Sequence, residues 1–168
     1  MAETAYTWDD LKFLEEEENR LQFSHFDEEV MLQLGCKVIE VSRDFFNGKI
    51  AVQIYRVRDN CAAFQYVADE KSERNLLFAS GKKNACLKGG HSSFHAFVLG
   101  NLEGRGDTLF QDIDKIPAGG AYPLRVNGEI IAVLALSGLK NGDDHRLIVR
   151  TLCDFLKQDY IPFEKTIV

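Results

Sequence analysis

The first third of the chain contains two stretches with helical periodicity. A capping pair, Thr7 and Asp10, precedes a first helix predicted at about 8–22. We expect the acidic run Glu15–Glu18 on the solvated face of this helix, because like charges usually lie in water. A second helix is predicted from Phe26 to the Asn47-Gly48 pair, which supplies a left-handed helix end. Both rest on apolar residues at helical spacing: Leu11, Leu14 and Leu21, then Val30, Leu34, Val38 and Val41.

Two β-hairpins are predicted from alternating residues that flank turn sequences. Residues 50–55 and 61–67 flank Arg58-Asp59-Asn60, and residues 119–126 and 129–137 flank Asn127-Gly128. The last of these strands is apolar on both faces. We therefore expect it at the centre of the sheet, with helices packed on both faces. The alternation predicts Ile131, Val133 and Ala135 on one face and Ile130, Ala132, Leu134 and Leu136 on the other.

The remaining segments are predicted as helices and one long loop. Residues 69–88 read as a helix with a weak spot at Gly81, and residues 91–99 read as a further helical stretch. Residues 100–115 are the most loop-like part of the chain, and their pattern leaves open whether they form a lid or a connector. A last helix follows Asn141, its predicted N-cap.

The order of these elements predicts an α+β fold. Two hairpins separated by helices indicate an antiparallel sheet, unlike the strand-helix alternation of a doubly wound fold. At 168 residues the chain is long enough for one core, so we expect a single domain over 1–168 with an N-terminal helical extension at about 8–22.

Charge and composition argue against two classes of partner, nucleic acids and membranes. A net charge of -6 leaves no basic surface for a phosphate backbone, which argues against nucleic-acid binding. No run approaches the roughly 18 apolar residues of a spanning helix, and the amino terminus is acidic without an apolar segment, so we expect a cytoplasmic protein without membrane association. The four cysteines form no Cys-x-x-Cys pair and are expected to be mostly buried.

Several motifs in the second half of the chain carry a family resemblance. They are Ala118 to Leu124 with its Gly-Gly pair, Asn127 to Ile131, Leu136 to Leu139 and Asp143 to His145. Together they resemble the carboxy-terminal signature of the GlcG/HbpS-like haem-degrading domains. Within that group, one branch of small uncharacterised bacterial and fungal proteins has motifs similar to Gly90 to Phe94, to Gly138-Leu139-Lys140 and to Asp144-His145. The similarity to the family as a whole covers about residues 26–158.

The resemblance implies a profilin-like layout, with an antiparallel sheet of about five strands and helices on both faces. It also implies a symmetric homo-oligomer and haem as a possible cofactor. Haem binding or degradation occurs in only some members, and a shared fold does not transfer a site.

Candidate ligand-binding residues combine glycine access, hydroxyl groups and imidazoles. We expect Gly90 to Ser93 and Asp144-His145 to contribute to one pocket, although they are far apart in sequence. The full candidate set is Gly90, His91, Ser92, Ser93, Gly119, Gly120, Ser137, Asp144 and His145.

His91 and His95 are the candidate metal ligands, because four-residue spacing on a helix places two imidazoles on one face. Ser92 stands where a zinc protease has its glutamate, which disfavours peptide hydrolysis of that type. The alternative is that His91 is a structural residue at a helix terminus and His95 a surface residue.

Three function classes remain open from the sequence. The first is a haem-binding or haem-degrading protein, which needs an axial ligand such as His91, His95 or His145. The second is a non-catalytic homo-oligomeric scaffold or interaction protein. The third is a binding module for a small organic acid or another metabolite.

Overall fold

The computed structural model describes residues 5–140 and 142–168, so the predicted N-cap Asn141 lies outside the described residues. Within these ranges five helices and five strands follow one another in an α+β arrangement. Their bounds are α1 Trp8–Arg20, β1 Gln22–Phe23, α2 Glu28–Phe46, β2 Ala51–Arg56, β3 Cys61–Val67, α3 Glu73–Gly89, α4 Ser93–Leu102, β4 Ala121–Val126, β5 Glu129–Ser137 and α5 Asp143–Leu156.

The five strands form one sheet in the order β1-β4-β5-β2-β3. The prediction of a five-stranded sheet with β5 at its centre is therefore confirmed. The sheet is mixed, because β1 runs parallel to β4 while the other pairs are antiparallel. The first helix was predicted to reach residue 22, but α1 ends at Arg20 and Gln22 pairs with Arg125 in the sheet.

Helices cover both faces of the sheet, as predicted. On one face, α2 and α5 pack against the large core through residues such as Leu34, Val38 and Leu152. On the other face, Ala79 and Cys86 of α3 pack against Val133 and Ala135 of β5. A third apolar cluster joins α1 to α4 and the carboxy terminus: Leu11, Leu14, Phe94, Val98 and Ile167. None of the helices in the described ranges has the length and apolar character needed to cross a membrane.

The predicted faces of β5 are wrong at one end. Leu124 pairs with Ala132 but Arg125 pairs with Ile130, so β5 has an extra residue at Ile131. A bulge of this kind reverses the alternation locally. Ile131 consequently packs with the core under α2 and α5, and Ile130 packs with the cluster under α3.

The weak spot predicted at Gly81 is a packing position inside an unbroken helix. A Cβ at Gly81 would lie 2.7 Å from Ile116 Cδ1, and one at Gly100 of α4 would lie 2.4 Å from Leu109 Cδ2. The Ile116 N–H donates to the Gly81 carbonyl at 2.9 Å. Two helical glycines thus allow the segment 105–117, most of which was predicted as loop, to lie directly on α3 and α4.

Candidate ligand cavity and histidine cluster

Most of the candidate residues predicted from sequence lie inside the molecule. Gly90 and His91 are half-buried between α3 and α4. The other members are buried: Ser92, Ser93, Gly119, Gly120, Ser137, Asp144 and His145.

Ser93, Gly119 and His145 meet at the start of β4. The Ser93 hydroxyl accepts from the Ala121 N–H at 3.0 Å, which fixes α4 to the strand. A Cβ at Gly119 would lie 2.8 Å from His145 Cβ, so glycine permits α5 to approach this closely. These contacts serve packing between α4, β4 and α5.

Asp144 and Lys82 form a buried ion pair beside Gly120, where a Cβ would lie 2.8 Å from Lys82 Nζ. Lys82 Nζ lies 2.9 Å from Asp144 Oδ2 and donates to the Leu136 carbonyl at 3.3 Å. Burial raises the pKa of the Asp144 carboxyl, and the Lys82 ammonium opposes the shift. Ser137 accepts from Asn75 Nδ2 at 3.4 Å nearby. Asp144 and Ser137 are thus bonded to other side chains of the protein.

His145 is almost completely buried, with 2% of its surface exposed. Its ring lies 5.2 Å from the ring of Phe94, and burial lowers its pKa to about 3. A histidine with this pKa is neutral at physiological pH. Its Nδ1 has no hydrogen-bond partner among the described residues. That His145 shares a ligand pocket with Gly90–Ser93 stays a prediction, and its depth makes direct access difficult.

His91 and His95 do lie together, as their spacing predicted. Their rings stack with centroids 4.0 Å apart, and Glu15 of α1 joins them. One ligand atom from each of these three side chains lies within 4.8 Å of the others. Glu15 Oε1 and His95 Nε2 are 3.0 Å apart. Burial lowers the pKa of His95 despite this contact, which favours the neutral imidazole that a metal requires.

The expectation that Glu15–Glu18 forms a solvated face is wrong for two of the four residues. Glu17 and Glu18 are each only 3% exposed. The Tyr122 hydroxyl donates to Glu17 Oε1 at 3.0 Å, and Arg125 Nη2 donates to Glu18 Oε1 at 3.1 Å. The sequence did contain a signal for this burial, since positions 17 and 18 fall one helical turn from both Leu14 and Leu21.

Glu18 connects α1 to the start of α4. Its Oε2 accepts from the Ser92 N–H at 3.3 Å, while its Oε1 lies 3.4 Å from His91 Nδ1. The second contact has ion-pair distance but lacks hydrogen-bond geometry. Arg125 also donates to the Gly90 carbonyl at 2.6 Å. These bonds hold the backbone that carries His91.

A cavity of about 540 Å³ lies beside this cluster, between α3, α4 and the segment 105–117. Ser92 and His95 are the predicted residues that line it. Its size is within the range of small-molecule sites, roughly 300–1,000 Å³. Apolar atoms on its wall come from Ala85, Ala96, Leu99, Leu109 and Pro117.

Three cations also line the cavity: Lys88, Arg105 and Lys115. The nearby ammonium of Lys115 lowers the pKa of Lys88, because two like charges disfavour each other. Arg105 Nη2 reaches Glu103 Oε1 at 3.4 Å, and Asp112 is the acidic residue on the wall. The cavity therefore combines an apolar wall with a surplus of positive charge that suits an anionic ligand.

These features fit haem. A porphyrin needs an apolar cleft for its ring, cations for its carboxylates and an axial ligand for its iron. The apolar wall, the Lys88–Lys115 pair and the neutral imidazole of His95 correspond to these needs. The residues that would hold haem are therefore Lys88, Arg105 and Lys115 for the propionates and His95 for the iron.

Solved structures with the same fold define the class of this protein. The crystal structure of the Ybr137w protein superposes with a TM-score of 0.75 and 26% identity, covering 88% of this chain and 87% of that one. HbpS follows with a TM-score of 0.62 and 16% identity, over 80% of this chain and 92% of that one. The haem complex of PduOC gives 0.63 and 16%, over 77% and 94%. The fold is that of the HbpS-type α+β domains.

The chain belongs to the HbpS-like haem-degrading protein family, whose model matches residues 26–152. Among its relatives, a UPF0303 protein of Rhizobium johnstonii is 30% identical over 90% of this chain and 93% of its own length. A UPF0303 protein of Psychromonas ingrahamii is 26% identical over 84% of this chain and 89% of its own. The predicted family is thereby confirmed.

Proposed function

We propose that this protein binds haem in the cavity between α3, α4 and the segment 105–117. The observation that carries the proposal is that the imidazole of His95 lines the same cavity as the like-charged pair Lys88 and Lys115. Two ammonium groups held close together are stabilised by a dianion such as the two propionates of haem. Membership of a haem-degrading family and the likeness to a haem-bound protein support the choice of this ligand.

Each part of the cavity has a distinct role in this proposal. The apolar wall takes the porphyrin ring out of water, which is the main source of binding free energy. The cations orient the propionates, and Ser92 adds a polar group close to His95. Burial keeps His95 neutral, so that a ring nitrogen can offer its lone pair to iron. The proposal concerns binding and assigns no reaction to the chain.

Haem titration followed by absorption spectroscopy tests this proposal. The wild type should give a shifted Soret band that saturates at one haem per chain. Lys88→Gln combined with Lys115→Gln should weaken binding about tenfold, since exposed ion pairs contribute roughly 1 kcal/mol or less each. Lys12→Gln combined with Lys37→Gln removes the same charge from α1 and α2 and should leave the affinity unchanged.

Iron-free protoporphyrin separates ring burial from iron ligation. His95→Gln should abolish the Soret shift of haem but bind protoporphyrin as the wild type does. If the wild type binds haem without a Soret shift, or if the control pair weakens binding as much as the cavity pair, the proposed site is wrong.

We further propose that the protein forms a homo-oligomer in the cytoplasm, with a dimer or a multiple of dimers as the expected state. Large exposed apolar side chains support an interface, among them Phe45, Leu77 and Ile113. Light scattering should give at least twice the mass of the chain at micromolar concentration. A monomer under these conditions would contradict the proposal.

A further inference from the structure

We propose that Glu15, His91 and His95 form a binding site for a single transition-metal dication, with zinc as the best-fitting ion. Two imidazoles and one carboxylate are a known ligand set for zinc with one open position. The three residues come from α1 and from the start of α4, so the site exists only in the folded chain. The inference does not depend on haem binding, because Glu15 and His91 do not line the cavity.

The distances allow closure of the site with small movements. Ligand atoms about 2.1 Å from a tetrahedral ion are about 3.4 Å apart. Here the three atoms lie within 4.8 Å of one another, and Glu15 Oε1 is already 3.0 Å from His95 Nε2. The side chains of Glu15 and His91 are 42% and 32% exposed, whereas that of His95 is 5% exposed. His95 is thus the most buried ligand of the three, and Glu15 and His91 are the more exposed ones.

The surroundings provide the support that metal ligands usually have. A ligating histidine typically directs its second ring nitrogen to a carboxylate, which fixes the ring. His91 Nδ1 lies 3.4 Å from Glu18 Oε1, close to the distance but without the geometry of a hydrogen bond, and Arg125 and the Ser92 N–H hold Glu18 in place. The stacked imidazoles, with ring centroids 4.0 Å apart, also place two sets of ring nitrogens side by side. An ion at the common edge of the two rings would bind one nitrogen of each.

The chemistry of the ligand set selects the ion. Imidazole nitrogen suits zinc, copper, nickel and cobalt, whereas magnesium and calcium prefer sites made of oxygen atoms. Because a metal ion binds deprotonated ligands, zinc binding at this site should weaken in acid. Partial exposure of Glu15 and His91 leaves room for water as a further ligand.

Calorimetric titration of Zn²⁺ into the full chain tests this site. Cys36 and Cys61 are exposed thiols that could also bind zinc, so the background protein carries Cys36→Ser and Cys61→Ser. We expect one ion per chain and intense visible bands with Co²⁺, as a tetrahedral site gives. Glu15→Gln and His91→Gln should each weaken zinc binding by more than about tenfold.

Matched controls are available among exposed residues of the same types. Glu16→Gln changes the exposed neighbour of Glu15, and His25→Gln changes an exposed histidine outside the cluster, so both should bind zinc as the background protein does. Haem binding should persist in Glu15→Gln and His91→Gln, which separates failure of this site from failure of the cavity. The inference is overturned if the background protein binds no zinc, or if Glu15→Gln and His91→Gln bind it unchanged.

Discussion

Replacing the buried Glu17 by glutamine should make the protein more stable at alkaline pH. Burial raises the pKa of the Glu17 carboxyl to about 7, although the Tyr122 hydroxyl bonded to it opposes this shift. The unfolded chain has a pKa near the ordinary value of 4.5 for this group. The folded state therefore binds the proton more tightly than the unfolded state does, and the native protein loses stability when the group ionises.

The size and direction of the effect follow from these two values. The stabilising effect of protonation is fully present below pH 4.5 and is lost as pH rises through about 7. A pKa difference of about 2.5 at roughly 1.36 kcal/mol per unit gives about 3 kcal/mol. Glutamine keeps the size of the side chain and an oxygen that accepts from Tyr122. Glu17→Gln should thus match the wild type near pH 4.5 and exceed its free energy of unfolding by up to about 3 kcal/mol at pH 8.

Urea unfolding at pH 4.5, 6, 7 and 8 measures this difference. Glu16→Gln removes an equivalent charge from the exposed side of α1 and should change the free energy of unfolding by less than about 0.5 kcal/mol at each pH. If Glu17→Gln is less stable than the wild type at pH 8, the ionised carboxylate is well paired in the folded state. The account of its burial would then be wrong.

Three further predictions concern the core and the two sites. Burial lowers the pKa of His145 to about 3, so the neutral imidazole should contribute stability above pH 6.5 that is lost as pH falls towards 3. His145→Phe should therefore lose less thermal stability in acid than the wild type does. Val133→Asp should destabilise by several kcal/mol in urea unfolding, because it places an unpaired charge in the core. Gln33→Glu introduces the same charge on the exposed side of α2 and should have little effect. Equal free energies of unfolding for both variants would contradict the central position of β5. Saturating zinc should weaken haem binding in the wild type but not in Glu15→Gln, because zinc and the haem iron would both bind His95. Equal weakening in the two proteins would exclude competition at His95.

The sequence predicted the elements with strong local patterns. The two-sided apolar run in β5 indicated its central position, and Asn127-Gly128 indicated the turn before it. The extra residue at Ile131 could not be found in this way, because a bulge depends on pairing with β4. The two-residue strand β1 has no periodicity of its own, so its parallel pairing was missed.

The candidate site was predicted only in part for a similar reason. The spacing of His91 and His95 indicated their proximity, but Glu15 comes from a helix 76 residues earlier in the chain and joins them only through tertiary packing. Lys88, Arg105 and Lys115 were not predicted, because the cavity forms when the segment 105–117 packs on α3 and α4. The polarity of Ser93 and Asp144 suggested ligand binding. In the structure Ser93 accepts a hydrogen bond from the Ala121 N–H and Asp144 pairs with Lys82.

The most direct test of haem binding in this cavity is an anomalous difference map, at the iron absorption edge, from crystals of the protein with haem. We predict one strong iron peak per chain inside the cavity, within bonding distance of a ring nitrogen of His95, with the propionates towards Lys88 and Lys115. An iron peak outside the cavity, or one next to a different histidine, would contradict the account.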